Sequence, residues 1–182
     1  MIPMQSREIL ILFDQCLFDR GLQLDAVVIG GAAMNLLEIV SRTTKDCDIL
    51  SPEIPPAILT ASREFAVALR GTGETLQDDW LNNGPASLAD HLQPQWKERL
   101  QEGFDGSAIR LRCLGRSDFL CSKLFALCDR GIDLGDCLAL KPEAGELAVI
   151  LPWLEQQDAH PHWPVHVRET FADLARRLGY GI

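Results

Sequence analysis

The fold is decided by a short apolar stretch that runs into two glycines, residues 26–31 with the sequence AVVIGG. An all-apolar, β-branched run of this length predicts a strand that is covered on both faces. The glycines allow close approach of the backbone, and a helix predicted over residues 32–40 offers unpaired N–H groups to an anion. The stretch therefore predicts a strand–turn–helix unit that could hold phosphate.

A second polar stretch follows at residues 42–48, with the sequence RTTKDCD. Alternation over residues 41–50 predicts a strand, in which Arg42, Thr44, Asp46 and Asp48 share one face. The roots of the two carboxylates would lie roughly 6 to 7 Å apart, and Mg²⁺ prefers a few carboxylates together with phosphate oxygens. The residues predict a phosphate–metal site, although a tight turn beside a solvated strand end is the simpler interpretation.

Together the two motifs resemble the signature of the nucleotidyltransferase superfamily. The R-x-T-x-D-x-D pattern of residues 42–48 resembles the AbiEii-like nucleotidyltransferases, a group that includes toxins of toxin–antitoxin systems. The same family has a loop similar to the WLN of residues 80–82. It also has a later helix similar to residues 123–136, with a lysine, an arginine and spaced aspartates. The resemblance covers roughly residues 8–140.

The resemblance implies an α/β (α+β) fold, a small mixed sheet flanked by helices. It also implies transfer of a nucleotidyl group from a nucleoside triphosphate, with Mg²⁺ or Mn²⁺, to an RNA such as tRNA or to a protein. Asp46 and Asp48 would be the catalytic, metal-binding residues. The nucleotide would be bound by two glycines and four polar residues: Gly30, Gly31, Arg42, Thr44, Lys123 and Arg130. A toxin of this kind would have an antitoxin as partner. The alternative is a catalytically inactive member that binds nucleotide or another protein.

Active members of the superfamily commonly add a third carboxylate from a later strand. The matching strand here, residues 108–114, offers Arg110 and Arg112 on its polar face. Residues 110–130 contain five basic and two acidic side chains. This surplus predicts either a clamp for a triphosphate or RNA backbone, or an ordinary charged surface whose cations pair with acids elsewhere.

Composition limits the classes of function. The chain has 182 residues, 47% of them hydrophobic, and a net charge of -9. Such an acidic protein repels nucleic acid and anionic lipid unless its cations are concentrated. No apolar run approaches the ~18 residues of a membrane span, and the N-terminal residues do not resemble a signal peptide. We therefore expect a cytoplasmic protein without membrane association, whose six cysteines are reduced core residues.

We expect a mixed α/β core over residues 1–115 and a helical region over residues 116–182 that packs on it. Apolar spacing of three, four and seven residues predicts a first helix over residues 6–19, with Ser6 as its cap. The remaining predicted elements are a strand at 107–114 and helices at 57–69, 87–102, 117–130, 133–140, 143–157 and 164–178.

Overall fold

The computed structural model describes residues 6–41 and 44–180. The chain forms two compact units. One contains the described residues up to Asp90 together with Gln95–Gly115, and the other contains His91–Pro94 and the described residues from Arg116 onward. None of the helices in the described ranges is long and apolar enough to span a membrane.

A five-stranded mixed sheet forms the centre of the first unit. Its strands are β1 (Leu24–Ile29), β2 (Cys47–Ser51), β3 (Leu81–Asn82), β4 (Gln101–Asp105) and β5 (Ile109–Cys113), in the order β3-β2-β1-β5-β4. β1 runs antiparallel to β2 and parallel to β5, β3 is parallel to β2, and β4 is antiparallel to β5. The predicted α/β class is confirmed.

The apolar strand and the first helix are formed as predicted. Residues 26–29 of β1 are all buried, as a strand covered on both faces requires. Helix α1 (Ser6–Asp19) spans the predicted residues and buries Phe13 completely. α1 packs against α2 (Gly30–Leu36) and α3 (Pro56–Arg70), so these helices cover the sheet beside the glycine pair.

The second predicted strand is shorter than expected. Residues 44–46 are not in a strand, and β2 begins only at Cys47. The reason is that β1 ends at Ile29, opposite Asp48, and the chain then turns into α2, which leaves no β1 residue opposite 44–46. α2 is also shorter than the predicted 32–40, because Glu38 adopts a left-handed φ of 57° just beyond it.

The prediction of a helix over residues 87–102 is wrong. This region holds two short 3-10 helices, Ala86–Asp90 and Trp96–Arg99, followed by β4. Pro94 lacks an N–H group and Gln95 has a left-handed φ of 61°, so a continuous helix cannot pass through them. β4 instead pairs with β5 as an antiparallel neighbour.

The second unit is helical, as the sequence predicts. It contains α4 (Arg116–Arg130), α5 (Leu134–Leu140), α6 (Ala144–Leu154) and α7 (Trp163–Arg177). α4 packs against the three other helices. Five of the six cysteines are buried. Burial raises the pKa of the Cys128 and Cys137 thiols to about 12, so they remain neutral core side chains at physiological pH.

Candidate functional site

The first glycine of the pair lies directly against Asp48. Ile29, the last residue of β1, is in register with Asp48, and Gly30 follows with a left-handed φ of 71°. A Cβ atom on Gly30 would lie only 2.8 Å from Oδ2 of Asp48. Glycine is therefore required both by the backbone conformation and by the carboxylate that occupies the adjacent space.

The second glycine lies against Thr44 in the same way. A Cβ atom on Gly31 would lie 3.2 Å from both Oγ1 and Cγ2 of Thr44. The carbonyl of Thr44 accepts a hydrogen bond of 2.6 Å from Ser6 Oγ. Ser6 was expected to cap α1, but its hydroxyl ties the start of this helix to the Thr44 segment. We call Gly30, Gly31, Thr44, Asp46 and Asp48 the glycine corner.

Asp46 adds negative charge to the glycine corner. It is exposed and directly precedes β2. Partial burial of its carboxyl, followed by the nearby carboxylates of Asp48 and Asp79, raises its pKa above the ordinary value. The acidic groups thus repel one another, and a cation among them would relieve this repulsion.

The carboxylates present can supply only part of a Mg²⁺ coordination shell, and the substrate would have to supply the rest. Within residues 6–41 and 44–180, no group of three or more His, Cys, Asp or Glu side chains is arranged to hold a metal ion. Asp46 and Asp48 offer two carboxylates. Mg²⁺ is commonly bound by one or two carboxylates, with substrate phosphates and waters completing its shell.

Sequence reasoning missed a contact from the neighbouring strand. Asn82 is paired with Asp48 across the parallel β2–β3 ladder, and its Nδ2 donates a hydrogen bond of 3.1 Å to Asp48 Oδ1. The WLN loop was noted only through its resemblance to a family. Its contact with Asp48 depends on a strand register that local sequence patterns do not encode.

An aromatic cluster fixes this short strand in place. Trp80 is buried, its ring centroid lies 5.1 Å from that of Phe13, and its Nε1 donates to the carbonyl of Ser62. The N–H of Cys47 donates to the Trp80 carbonyl at 2.6 Å. The anchored tryptophan therefore places Asn82 beside Asp48.

The remaining predicted nucleotide-binding residues are Arg42, Lys123 and Arg130. Arg42 falls outside the described residues. Lys123 and Arg130 are on α4 in the second unit. Lys123 is only 6% exposed, and its Nζ lies 2.6 Å from Asp136 and 3.3 Å from Asp133. Arg130 is exposed and lies 3.4 Å from Asp133. Their nucleotide-binding role stays a prediction.

Each of the five basic side chains of residues 110–130 pairs with an acidic side chain. Arg110 pairs with Asp105, Arg112 with Asp25 and Arg116 with Glu146, at 3.1, 2.9 and 2.7 Å. Lys123 and Arg130 also have acidic partners. This pairing favours an ordinary charged surface over a common phosphate clamp.

Residues 108–114, the strand matched to the one that supplies a third carboxylate in active superfamily members, do not pair with β2. β5, which holds Arg110 and Arg112, pairs with β1 and β4. The strand that pairs with β2 on its other side is β3, where Asn82 stands opposite Asp48. The neutral carboxamide of Asn82 therefore lies where β3 meets the Asp48 carboxylate.

Comparison with known proteins identifies the family. A family described as nucleotidyltransferases of unknown function, DUF6036, matches residues 8–137, a range that includes the glycine corner and Asn82. No curated protein and no solved structure matches significantly. The match confirms the nucleotidyltransferase resemblance at the level of the superfamily, and the chain belongs to the DUF6036 family of nucleotidyltransferases.

Proposed function

We propose that the protein binds a nucleoside triphosphate with Mg²⁺ or Mn²⁺ at the glycine corner and transfers a nucleotidyl group to an acceptor hydroxyl. The observation that carries this proposal is the placement of the Asp48 carboxylate directly against Gly30. This contact brings one candidate metal ligand, Asp48, next to the candidate phosphate-binding turn. The family membership supports the reaction class.

Each residue of the corner has a distinct task in this proposal. Asp46 and Asp48 hold the metal, which when bound offsets charge on the triphosphate. Gly30 and Gly31 form the phosphate-binding turn, with Asp48 against Gly30 and the Thr44 hydroxyl beside Gly31. Arg42, Lys123 and Arg130 are assigned to phosphate binding by resemblance alone. For Lys123, Asp136 already balances the charge.

The transfer is a displacement at the α-phosphorus. The acceptor oxygen forms a bond to this phosphorus while the bond to the bridging oxygen of the β-phosphate breaks. Pyrophosphate leaves with that electron pair, and the proton of the acceptor hydroxyl passes to solvent water. The acceptor we propose is an RNA such as tRNA, or a protein. An AbiEii-like toxin role with an antitoxin partner is supported only by the resemblance of residues 42–48, 80–82 and 123–136 to that family.

A second candidate is a catalytically inactive protein that binds nucleotide or a protein partner. The observation that favours it is Asn82, a neutral side chain beside the two aspartates where a carboxylate could activate an acceptor. Such a protein would bind the metal–triphosphate complex at the same corner without turnover.

The two candidates are separated by following the α-phosphate. The protein is incubated with Mg²⁺, total RNA or cell lysate, and each of the four triphosphates labelled at the α-phosphate. In parallel, binding of each triphosphate with Mn²⁺ is measured by calorimetry. The matched control is the double variant Asp46→Ala, Asp48→Ala, and γ-labelled triphosphate controls for transfer of the terminal phosphate.

Each outcome is informative. α-Label on RNA or protein that is lost in the double variant supports the transferase. Binding that the double variant loses, without any label transfer, supports the inactive candidate. If the wild-type protein neither binds triphosphate nor transfers label, the transferase and the inactive nucleotide-binding protein are both overturned.

A further inference from the structure

We propose that Asn82 is a positioning residue for Asp48. It holds one oxygen of the carboxylate by a hydrogen bond, so that the other is presented at Gly30. This inference rests on the proposed function, because it gives Asn82 its task through the metal–nucleotide complex that Asp48 is proposed to bind.

The orientation of the Asn82 amide is determined by its partners. The N–H of Gly84 donates to Asn82 Oδ1 at 2.7 Å, and a backbone N–H requires an acceptor there. Nδ2 must therefore face Asp48, where it lies 3.1 Å from Oδ1. It also lies 3.3 Å from the carbonyl of Asp79. Both polar ends of the amide are thus held, so the side chain has a defined direction.

The two oxygens of Asp48 have different surroundings as a result. Oδ1 accepts the hydrogen bond from Asn82, whereas Oδ2 is the atom nearest to the position that a Cβ atom on Gly30 would take. A hydrogen-bonding partner behind a ligating carboxylate restricts its rotation, and loss of such a partner typically weakens metal binding about 10- to 100-fold. Because the Asn82 amide is neutral, it restricts the Asp48 carboxylate without adding charge to the neighbouring carboxylates, which already repel one another.

The neighbouring Asn83 provides a matched control. Its Nδ2 donates to the carbonyls of Ile49 and Pro52, both at 3.0 Å, and its Oδ1 accepts from the N–H of Ile54 at 2.8 Å. Asn83 therefore ties the same segment to Ile49 within β2 and to Pro52 and Ile54 just beyond it, with three hydrogen bonds to backbone groups. It supports the local structure through backbone contacts, whereas Asn82 holds Asp48.

The test measures Mn²⁺ binding in the presence of ATP for the wild-type protein and the variants Asn82→Ala and Asn83→Ala. Folding is checked by circular dichroism and thermal unfolding. For Asn82→Ala we expect the Mn²⁺ concentration at half-saturation to rise about 10-fold or more. For Asn83→Ala we expect a lower melting temperature but a Mn²⁺ affinity within about 2-fold of wild type.

The outcomes separate this inference from the proposed function. If wild-type protein binds Mn²⁺–ATP and folded Asn82→Ala binds it equally well, Asn82 is not a positioning residue. If Asn83→Ala weakens Mn²⁺ binding as much as Asn82→Ala, the effect is general support of β3, and the inference is also overturned. If Asn82→Ala does not fold, Asn82→Ser takes its place under the same criteria. Absence of binding in the wild type contradicts the proposed function itself.

Discussion

The Oδ2 atom of Asp48 lies 2.8 Å from the point where a Cβ atom on Gly30 would stand. Strand register produces this approach, because Ile29 is opposite Asp48 and the chain leaves β1 at the next residue. Two motifs that are separated in sequence therefore share one corner, which makes the corner sensitive to a single methyl group.

We expect Gly30→Ala to weaken both folding and metal–nucleotide binding. The left-handed backbone costs an alanine about 1 to 2 kcal/mol, and the new methyl group must displace the Asp48 carboxylate. Urea unfolding and calorimetry with Mn²⁺ and ATP measure the two effects.

Gly21→Ala is the matched control for this change. Gly21 has a similar φ of 65°, but its Cβ would meet nothing within 4 Å. Gly21→Ala should lose only the folding free energy that the left-handed backbone costs an alanine, and it should bind nucleotide normally. Equal binding by the two variants would show that the contact between Gly30 and Asp48 has no role in the site.

Asp46→Asn should stabilise the protein at pH 7 when no metal is present, while weakening binding of Mn²⁺. Burial and the carboxylates of Asp48 and Asp79 raise the Asp46 pKa, so the ionised form is less favourable in the folded than in the unfolded chain. Because the side chain is exposed, the gain should stay below about 1 kcal/mol.

The gain should vanish below about pH 3.8, where the carboxyl is protonated in both states. Urea unfolding of wild type and variant between pH 3.5 and 7 measures it. A variant that is less stable than wild type at pH 7 would indicate that Asp46 makes favourable contacts instead.

Asp14 should contribute to the stability of the first unit. Its carboxylate accepts hydrogen bonds from the backbone N–H groups of Ser107, Ala108 and Ile109 at 3.0, 2.9 and 2.7 Å. Asp14→Ala leaves three donors without this acceptor, so we expect a loss of about 2 kcal/mol at pH 7 in urea unfolding.

This contribution should depend on pH. Partial burial raises the pKa of Asp14, but the three backbone hydrogen bonds outweigh burial and lower it below 3.8. The stabilisation is therefore complete above pH 3.8 and lost as the pH falls through the lowered pKa. Asp19→Ala, an exposed change on the same helix, should cost little, and an equal loss from both variants would contradict the prediction.

Lys123→Met should destabilise the protein by about 3 to 5 kcal/mol, because it removes the cation from the buried carboxylate of Asp136 and the partly buried carboxylate of Asp133. Thermal and urea unfolding measure this loss. Arg130→Met, a change at an exposed cation near the same Asp133, should cost less than about 1 kcal/mol. If Lys123→Met unfolds like wild type but loses ATP binding, Lys123 serves the nucleotide rather than the fold.

Local patterns predicted those elements whose burial follows from their own sequence. α1 buries residues at helical spacing, and residues 26–29 of β1 are all apolar, so each pattern lies within one short segment. The glycines and aspartates were also found from local spacing. Their meeting in one corner, however, depends on the pairing of Ile29 with Asp48.

Elements that depend on distant partners were missed or misread. β4 is mostly exposed and is held by backbone pairing with β5, so it has no apolar alternation to detect. β3 has only two residues, and its position is set by the burial of Trp80. The ion pairs of Lys123 join α4 to Asp133 and to Asp136 of α5, a contact that helix periodicity alone does not reveal.

The parallel pairing of β1 with β5 has a consequence for synthesis on the ribosome. The described members of the glycine corner and Asn82 all precede residue 90, yet one edge of β1 bonds to Ile109–Cys113. A nascent chain of 90 residues would carry these groups while the backbone of Leu24–Val28 lacked its partner on that side. The sheet that carries the corner can therefore be completed only after translation has passed residue 113.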